Sequence, residues 1–181
     1  MVVQIAKKIV GCKKVIGMAG TEEKCKWVEG LGADVCVNYK SKSFEDDLKK
    51  ALKEEGGADV YFDNVGGSIL DLMLGNMRRY GRISACGAIS SYNHEEPTVL
   101  KNYFNVITQR IEIKGFIVLD LFSKGKMLEA RKTLVDAYKD GKLKIGDENE
   151  TVVDTKFESI PKTWLKLFEG GNTGKLVTKL V

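Results

Sequence analysis

Short apolar runs alternate along this chain with amphipathic stretches of helical period, and that rhythm limits the fold more than any other feature. Strands joined by crossover helices produce it, whereas hairpins would place strand next to strand. The pattern predicts strands at 14–18, 34–38, 59–63, 82–87, 112–118 and 175–181. It predicts helices at about 2–10, 22–31, 44–55, 69–79, 99–109, 119–140 and 158–169. In the third of these helices Phe44, Leu48, Ala51 and Leu52 share one face at a 3.6-residue period, leaving the Lys and Glu residues to water. The runs "VYF" and "RISACG" show little polar alternation, as expected of strands covered by helices on both faces. The expectation is a doubly wound α/β fold with a mostly parallel sheet.

The 181 residues, 43% of them apolar, can bury one sizeable core and give no sign of a linker, a repeat or a second domain. Lys and Arg number 29 against 25 Asp and Glu, and the two signs are interspersed, as in "SFEDDLKKALKEEGG". Such mixing describes a solvated surface and argues against nucleic acid as a partner. There is no apolar stretch of membrane-spanning length and no long apolar segment at the amino terminus, so the expected location is the cytoplasm. Cys12, Cys25, Cys36 and Cys86 form no C-x-x-C pair, and with His94 the single histidine a zinc site is poorly supplied. They read as small buried thiols, and no metal is expected.

In a doubly wound sheet the ligand lies beyond the carboxyl ends of the strands. Four successive strand ends here carry small, glycine or hydroxyl residues: Ala19-Gly20-Thr21, Asn38-Tyr39-Lys40, "DNVGG" from Asp63 to Gly67, and "CGAISSY" from Cys86 to Tyr92. Together they make a shelf for a flat or phosphorylated ligand. The first strand ends without the acid that an NAD-selective site uses on the adenosine ribose, which leaves room for the 2′-phosphate of NADP. Thr21 can cap the next helix, whose free N–H groups attract an anion. Lys24 is then either a phosphate-binding cation or an ordinary surface lysine, and Glu22 and Glu23 complement the helix dipole.

The ordered set "GMAGTEEK", "LGADVCVNYK", "YFDNVGG", "GRISACGAISSYN" and "FEGGNTGKLV" resembles the cofactor half of the zinc-independent medium-chain reductases, specifically the leukotriene B4 12-hydroxydehydrogenase/prostaglandin reductase group of alkenal and enone reductases. The resemblance runs through essentially the whole chain and implies a Rossmann-like domain. It implies NADPH-dependent, metal-free reduction of the carbon–carbon double bond of α,β-unsaturated aldehydes and ketones. By position it assigns Lys24 and Tyr39 to the 2′-phosphate and adenine side, with Thr21 beside them, and Asn64 to a cofactor contact. Cys86, Gly87, Ala88, Ile89, Ser90, Ser91 and Tyr92 match the loop beside the nicotinamide, and Tyr92 is the candidate catalytic phenol. Phe116, Ile117 and Val118 match a segment along the nicotinamide, and Asn172 a late residue that closes the site.

The group's fold opens with a strand and an A-x-x-G-x-x-G turn that cradles pyrophosphate, whereas this sequence opens at "MVVQIAKKIVGCKK", which resembles the helix that follows. The expectation is therefore residues 1–181 as an NADP-binding domain without that first strand, that glycine-rich turn or the amino-terminal catalytic GroES-like domain, and inactive by itself. The alternative is a non-catalytic remnant acting as an interaction module, with a homodimer formed through the strand near Ile111–Val118. A nucleoside-binding fold of the methyltransferase kind matches less well, because "GNTGK" fits the reductases better.

Overall fold

Parallel strands need long crossovers, and the helical stretches of this chain supply them. The computed structural model describes residues 1–93 and 98–181, so His94 lies outside the described residues. All strand pairing in it is parallel. The strands are β1 (Ile16–Ala19), β2 (Val35–Asn38), β3 (Ala58–Asp63), β4 (Met77–Ala85), β5 (Glu112–Gly115), β6 (Glu150–Thr155) and β7 (Lys175–Leu180). The helices are α1 (Val2–Ile5), α2 (Glu22–Gly30), α3 (Phe44–Lys53), α4 (Gly67–Leu74), α5 (Phe104–Thr108), α6 (Asp120–Ser123), α7 (Met127–Lys139) and α8 (Ile160–Glu169). A parallel αβ architecture is what the alternation predicts.

The chain divides into two compact units, residues 1–41 with 129–181, and residues 42–128. In the first unit β1 pairs with β2 from Ile16↔Val35 to Ala19↔Asn38, and β6 pairs with β7 from Glu150↔Lys175 to Thr155↔Leu180. α2 packs on the first pair by burying Cys25, and Gly17 lets it approach: a Cβ there would stand 2.6 Å from Val28 Cγ1 and 3.3 Å from Cys36 Sγ. The amino-terminal helix is held by Gln4, 1% exposed, whose amide donates to Lys144 O and accepts from Lys144 N at 3.1 and 2.7 Å. Asp34 fixes the start of β1 by accepting from Val15 N at 2.7 Å and pairing with Lys7 at 2.7 Å.

In the second unit the order is β3-β4-β5. α3 contributes Leu48 and Leu52, both buried, each worth about 1.5–3 kcal/mol relative to exposure. Leu74 and Ile83 are as fully buried as Leu48, and Tyr61, Met73, Met77 and Ile111 are buried with them in this unit. β5 is an edge strand whose four residues are all exposed.

Several predicted elements and boundaries shift. β6 falls where no strand was expected, in a stretch with two acids. The helix predicted to run to residue 79 stops at Leu74, and β4 begins at Met77, because Gly75 closes the helix and Asn76 hands its carbonyl to Ala58 N at 2.9 Å. The helix predicted over 119–140 breaks into α6 and α7 around Gly125, whose φ of +66° no helical residue adopts. Residues 99–109 are helical only from Phe104, and β5 ends at Gly115, before Phe116.

Candidate cofactor site

The first unit brings Thr21 and Tyr39 to Gly20, with Lys24 in the first turn of the helix that Thr21 caps. β1 delivers Gly20 at its carboxyl end, and Thr21 caps α2 by accepting from Lys24 N at 3.2 Å. The β1–β2 ladder continues one bond further, Tyr39 N donating to Ala19 O at 2.9 Å, which sets the phenol over the same turn. A Cβ on Gly20 would lie 2.8 Å from Tyr39 Oη and 3.4 Å from Lys40 Cε, so only glycine leaves this space open. Lys24 Nζ donates to Gly170 O at 2.6 Å, at the left-handed residue that ends α8. The Glu22 carboxylate accepts from Asn38 Nδ2 at 2.9 Å.

Gly170 opens the loop that carries Asn172. That loop is bolted to β6: Thr151 Oγ1 donates to Thr173 O at 2.8 Å and accepts from Thr173 N at 3.0 Å, while Asn172 Nδ2 bonds Gly174 O at 2.7 Å.

The second unit assembles the other group. Asp63, 1% exposed at the end of β3, accepts on one oxygen from Tyr61 Oη, Val65 N and Gly66 N, each at 2.9 Å. Burial, then the Asp63 charge, pushes the Tyr61 phenol well above its usual range. This buried carboxylate shapes the "DNVGG" turn that presents Asn64, which is exposed. Against it lies the loop after β4: Cys86 N and Gly87 N donate to Asp63 O, Ile89 N to Asn64 O, and Ser90 Oγ to Val65 O at 2.6 Å. Ser91 Oγ donates to Ala88 O at 2.9 Å. The left-handed pair Gly66 and Gly67 permits this packing, since a Cβ on Gly67 would meet Ser90 Oγ at 2.6 Å.

Tyr92 curls back so that Ala88 N donates to its phenolic oxygen at 3.2 Å, and the side chain is 63% exposed. Its own O–H is left to donate elsewhere. Phe116 packs on Phe62 with ring centroids 6.0 Å apart, while Ile117 and Val118 are exposed. Thus Asn64 and Cys86–Tyr92 sit together in one unit and Thr21, Lys24 and Tyr39 in the other. Sequence reading passed over Asp63 as a holder of Asn64, Thr151 as a holder of Asn172, and Lys40 beside Tyr39. Lys40 carried the clearest signal, by following Tyr39 directly.

The cysteines correct one expectation: Cys25 is buried and Cys12 and Cys36 half-buried, but Cys86 is exposed because its loop turns outward after β4. Burial, and then the neighbouring Cys25 thiol, raises Cys36 above the usual thiol range.

These elements define a parallel αβ nucleotide-binding type of domain with its candidate residues at strand carboxyl ends. Residues 1–137 match the zinc-binding dehydrogenase family, and the chain belongs to it. It is 41% identical over 174 residues to the NADP(+)-dependent 2-alkenal reductase of Nicotiana tabacum, covering 94% of this chain and 48% of that one. It is 37% identical over 178 residues to prostaglandin reductase 1 of Bos taurus, covering 97% and 51%. Among solved structures, CurA of Vibrio vulnificus in complex with NADPH superposes with a TM-score of 0.86 at 33% identity, over 100% of this chain and 53% of that one. The chain spans about half the length of these relatives. The family description names zinc, but the described residues do not fit such a centre: no three of His, Cys, Asp or Glu are grouped to hold a metal ion among them. Nor is any described helix long and apolar enough to cross a membrane.

Proposed function

We propose that this chain is the NADPH-binding part of a reductase that saturates the carbon–carbon double bond of α,β-unsaturated aldehydes and ketones, with residues 1–181 acting as its NADP-binding domain. The observation that carries the reading is the group at the end of β1: the Tyr39 phenol stands over Gly20 in a space that a methyl group would fill, Thr21 caps the helix start beside it, the Lys24 ammonium reaches Gly170 O, and the Glu22 carboxylate is engaged by Asn38. That chemistry suits a phosphomonoester on an adenosine ribose. The names of the tobacco and bovine relatives and the NADPH held by CurA support the same cofactor and substrate class.

By the family resemblance alone, Thr21, Lys24 and Tyr39 would hold the adenosine end, Asn64 would contact the cofactor, Cys86–Tyr92 with Phe116–Val118 would border the nicotinamide, and Asn172 would close the site. Bound NADPH supplies a hydride from nicotinamide C4. The chain's part is to orient the enone and donate the Tyr92 O–H toward the carbonyl oxygen as charge develops there. The Ala88 N–H on the phenolic oxygen fixes the direction of that donor. The open edge of β5, with Ile113, Phe116 and Ile117 exposed beside it, offers the surface for a homodimer through Ile111–Val118.

The test is NADPH oxidation with a simple alkenal by the whole reductase of which residues 1–181 are the NADPH-binding part, the product identified by mass spectrometry. The expected result is enone-dependent oxidation giving the saturated aldehyde. Reduction of the carbonyl to an alcohol with the double bond intact would contradict the assigned reaction.

A further inference from the structure

We propose that Lys40 is a second cation of the phosphomonoester subsite and a determinant of its selectivity for a 2′-phosphate, an inference that rests on the NADPH reading above. Asn38 ends β2 and turns the chain at once: its side-chain oxygen accepts from Lys40 N at 3.0 Å and its backbone oxygen from Ser41 N at 3.0 Å. This turn carries the Lys40 stem back across Gly20, where Cε stands 3.4 Å from the position of a Cβ and beside the Tyr39 phenol. The ammonium continues to the end of α8. There a Cβ on Gly170 would lie 3.7 Å from Lys24 Nζ and 4.0 Å from Lys40 Nζ.

Two ammonium groups from different elements therefore flank one point, and neither makes an ion pair among the described residues. Like charges brought together repel. The Gly170 carbonyl, at the negative end of the α8 dipole, offsets part of this by accepting one N–H of Lys24. Lys24 keeps two further N–H groups, Lys40 keeps three, and the Tyr39 O–H stands 2.8 Å from the same Cβ position on Gly20 that the Lys40 stem approaches. A dianionic phosphomonoester has the charge to balance both cations and enough acceptor oxygens for all three groups. A neutral ribose hydroxyl answers to neither cation. Selectivity for the phosphorylated ribose is thereby shared by two lysines, one on α2 and one on the turn after β2.

The probes are adenosine 2′,5′-bisphosphate and adenosine 5′-monophosphate, titrated calorimetrically into the wild-type chain and into Lys40→Ala, Lys40→Arg and Lys24→Ala. Lys40 is exposed, so its variants should melt with the wild type. Lys40→Ala should weaken the bisphosphate about 10-fold, as for one charge-assisted contact, leave the monophosphate unchanged, and flatten the salt dependence of bisphosphate binding. Lys40→Arg should restore most of the loss. Equal weakening of both probes, or no weakening of either, would overturn the role of Lys40. If Lys24→Ala alone abolishes the preference for the bisphosphate, this inference fails and the NADPH reading survives; a wild-type chain that does not distinguish the probes would sink both.

Discussion

Gly174 is the residue at which substitution costs the fold most directly. It follows the Asn172 turn at φ +72°, and a Cβ there would fall inside the Asn149 carbonyl group. Neither a rotamer change nor a small shift relieves a clash with backbone. Gly174→Ala should destabilise the chain by about 3 kcal/mol or more, read from chemical denaturation, whereas Gly170→Ala, facing only flexible lysine ends, should cost about 1 kcal/mol. Asp34 gives a pH-dependent counterpart. The hydrogen bond from Lys7, then that from Val15 N, holds its carboxyl below the usual range. Its contribution is therefore complete above the unfolded value near 3.8 and is lost as pH falls through the lower folded value. With a third of the side chain exposed, the pair is worth about 1 kcal/mol at most. Asp34→Asn should lower the melting temperature at pH 7, by a margin that shrinks as the solution is acidified below pH 3.8. Tyr92→Phe removes a donor whose direction is fixed by Ala88, so kcat for an enone should fall about 10- to 1,000-fold in steady-state assays.

At the level of elements, the end of β3 and the turn after it depend on one buried carboxylate. Asp63→Ala leaves Tyr61 Oη, Val65 N and Gly66 N without their acceptor, so about 3–5 kcal/mol should be lost, and Tyr61→Phe, which frees one acceptor site only, about 1 kcal/mol. Equal losses in denaturation would show that the two do not divide the work in this way. Asp63 was legible in the sequence only as part of a glycine-rich turn, because its partners are the residues of its own turn and a neighbour two positions back on the strand. β6 was not legible at all: Thr151 and Val153 face inward between exposed Glu150, Val152 and Asp154, and the strand is defined by β7, more than twenty residues away. β4 was read late because Met77 falls at helical spacing from Met73 and Leu74 of α4, and only the bond from Ala58 N to Asn76 O ends that period. The parallel strands from β1 to β5, by contrast, announced themselves through apolar runs with the flanking helices between them, which are local signals. So did the candidate residues at their carboxyl ends. What places Lys24 beside Gly170, a separation of 146 positions, is tertiary and has no local trace.

For the molecule as a whole, the central claim is that the chain selects NADPH through its adenosine ribose. The first unit presents a phenol over Gly20 and two lysine ammonium groups beside Gly170, with the Glu22 carboxylate engaged by Asn38, so discrimination should reside in binding and should depend on charge. Fluorescence titration of the full chain with NADPH and with NADH, in the wild type and in Lys24→Ala, measures this most directly. The predicted result is NADPH bound at least about 10-fold more tightly than NADH, with Lys24→Ala removing part of that difference by weakening NADPH alone, by about 1–3 kcal/mol. Equal affinities for the two nucleotides in the wild type, or equal losses for both in Lys24→Ala, would contradict it.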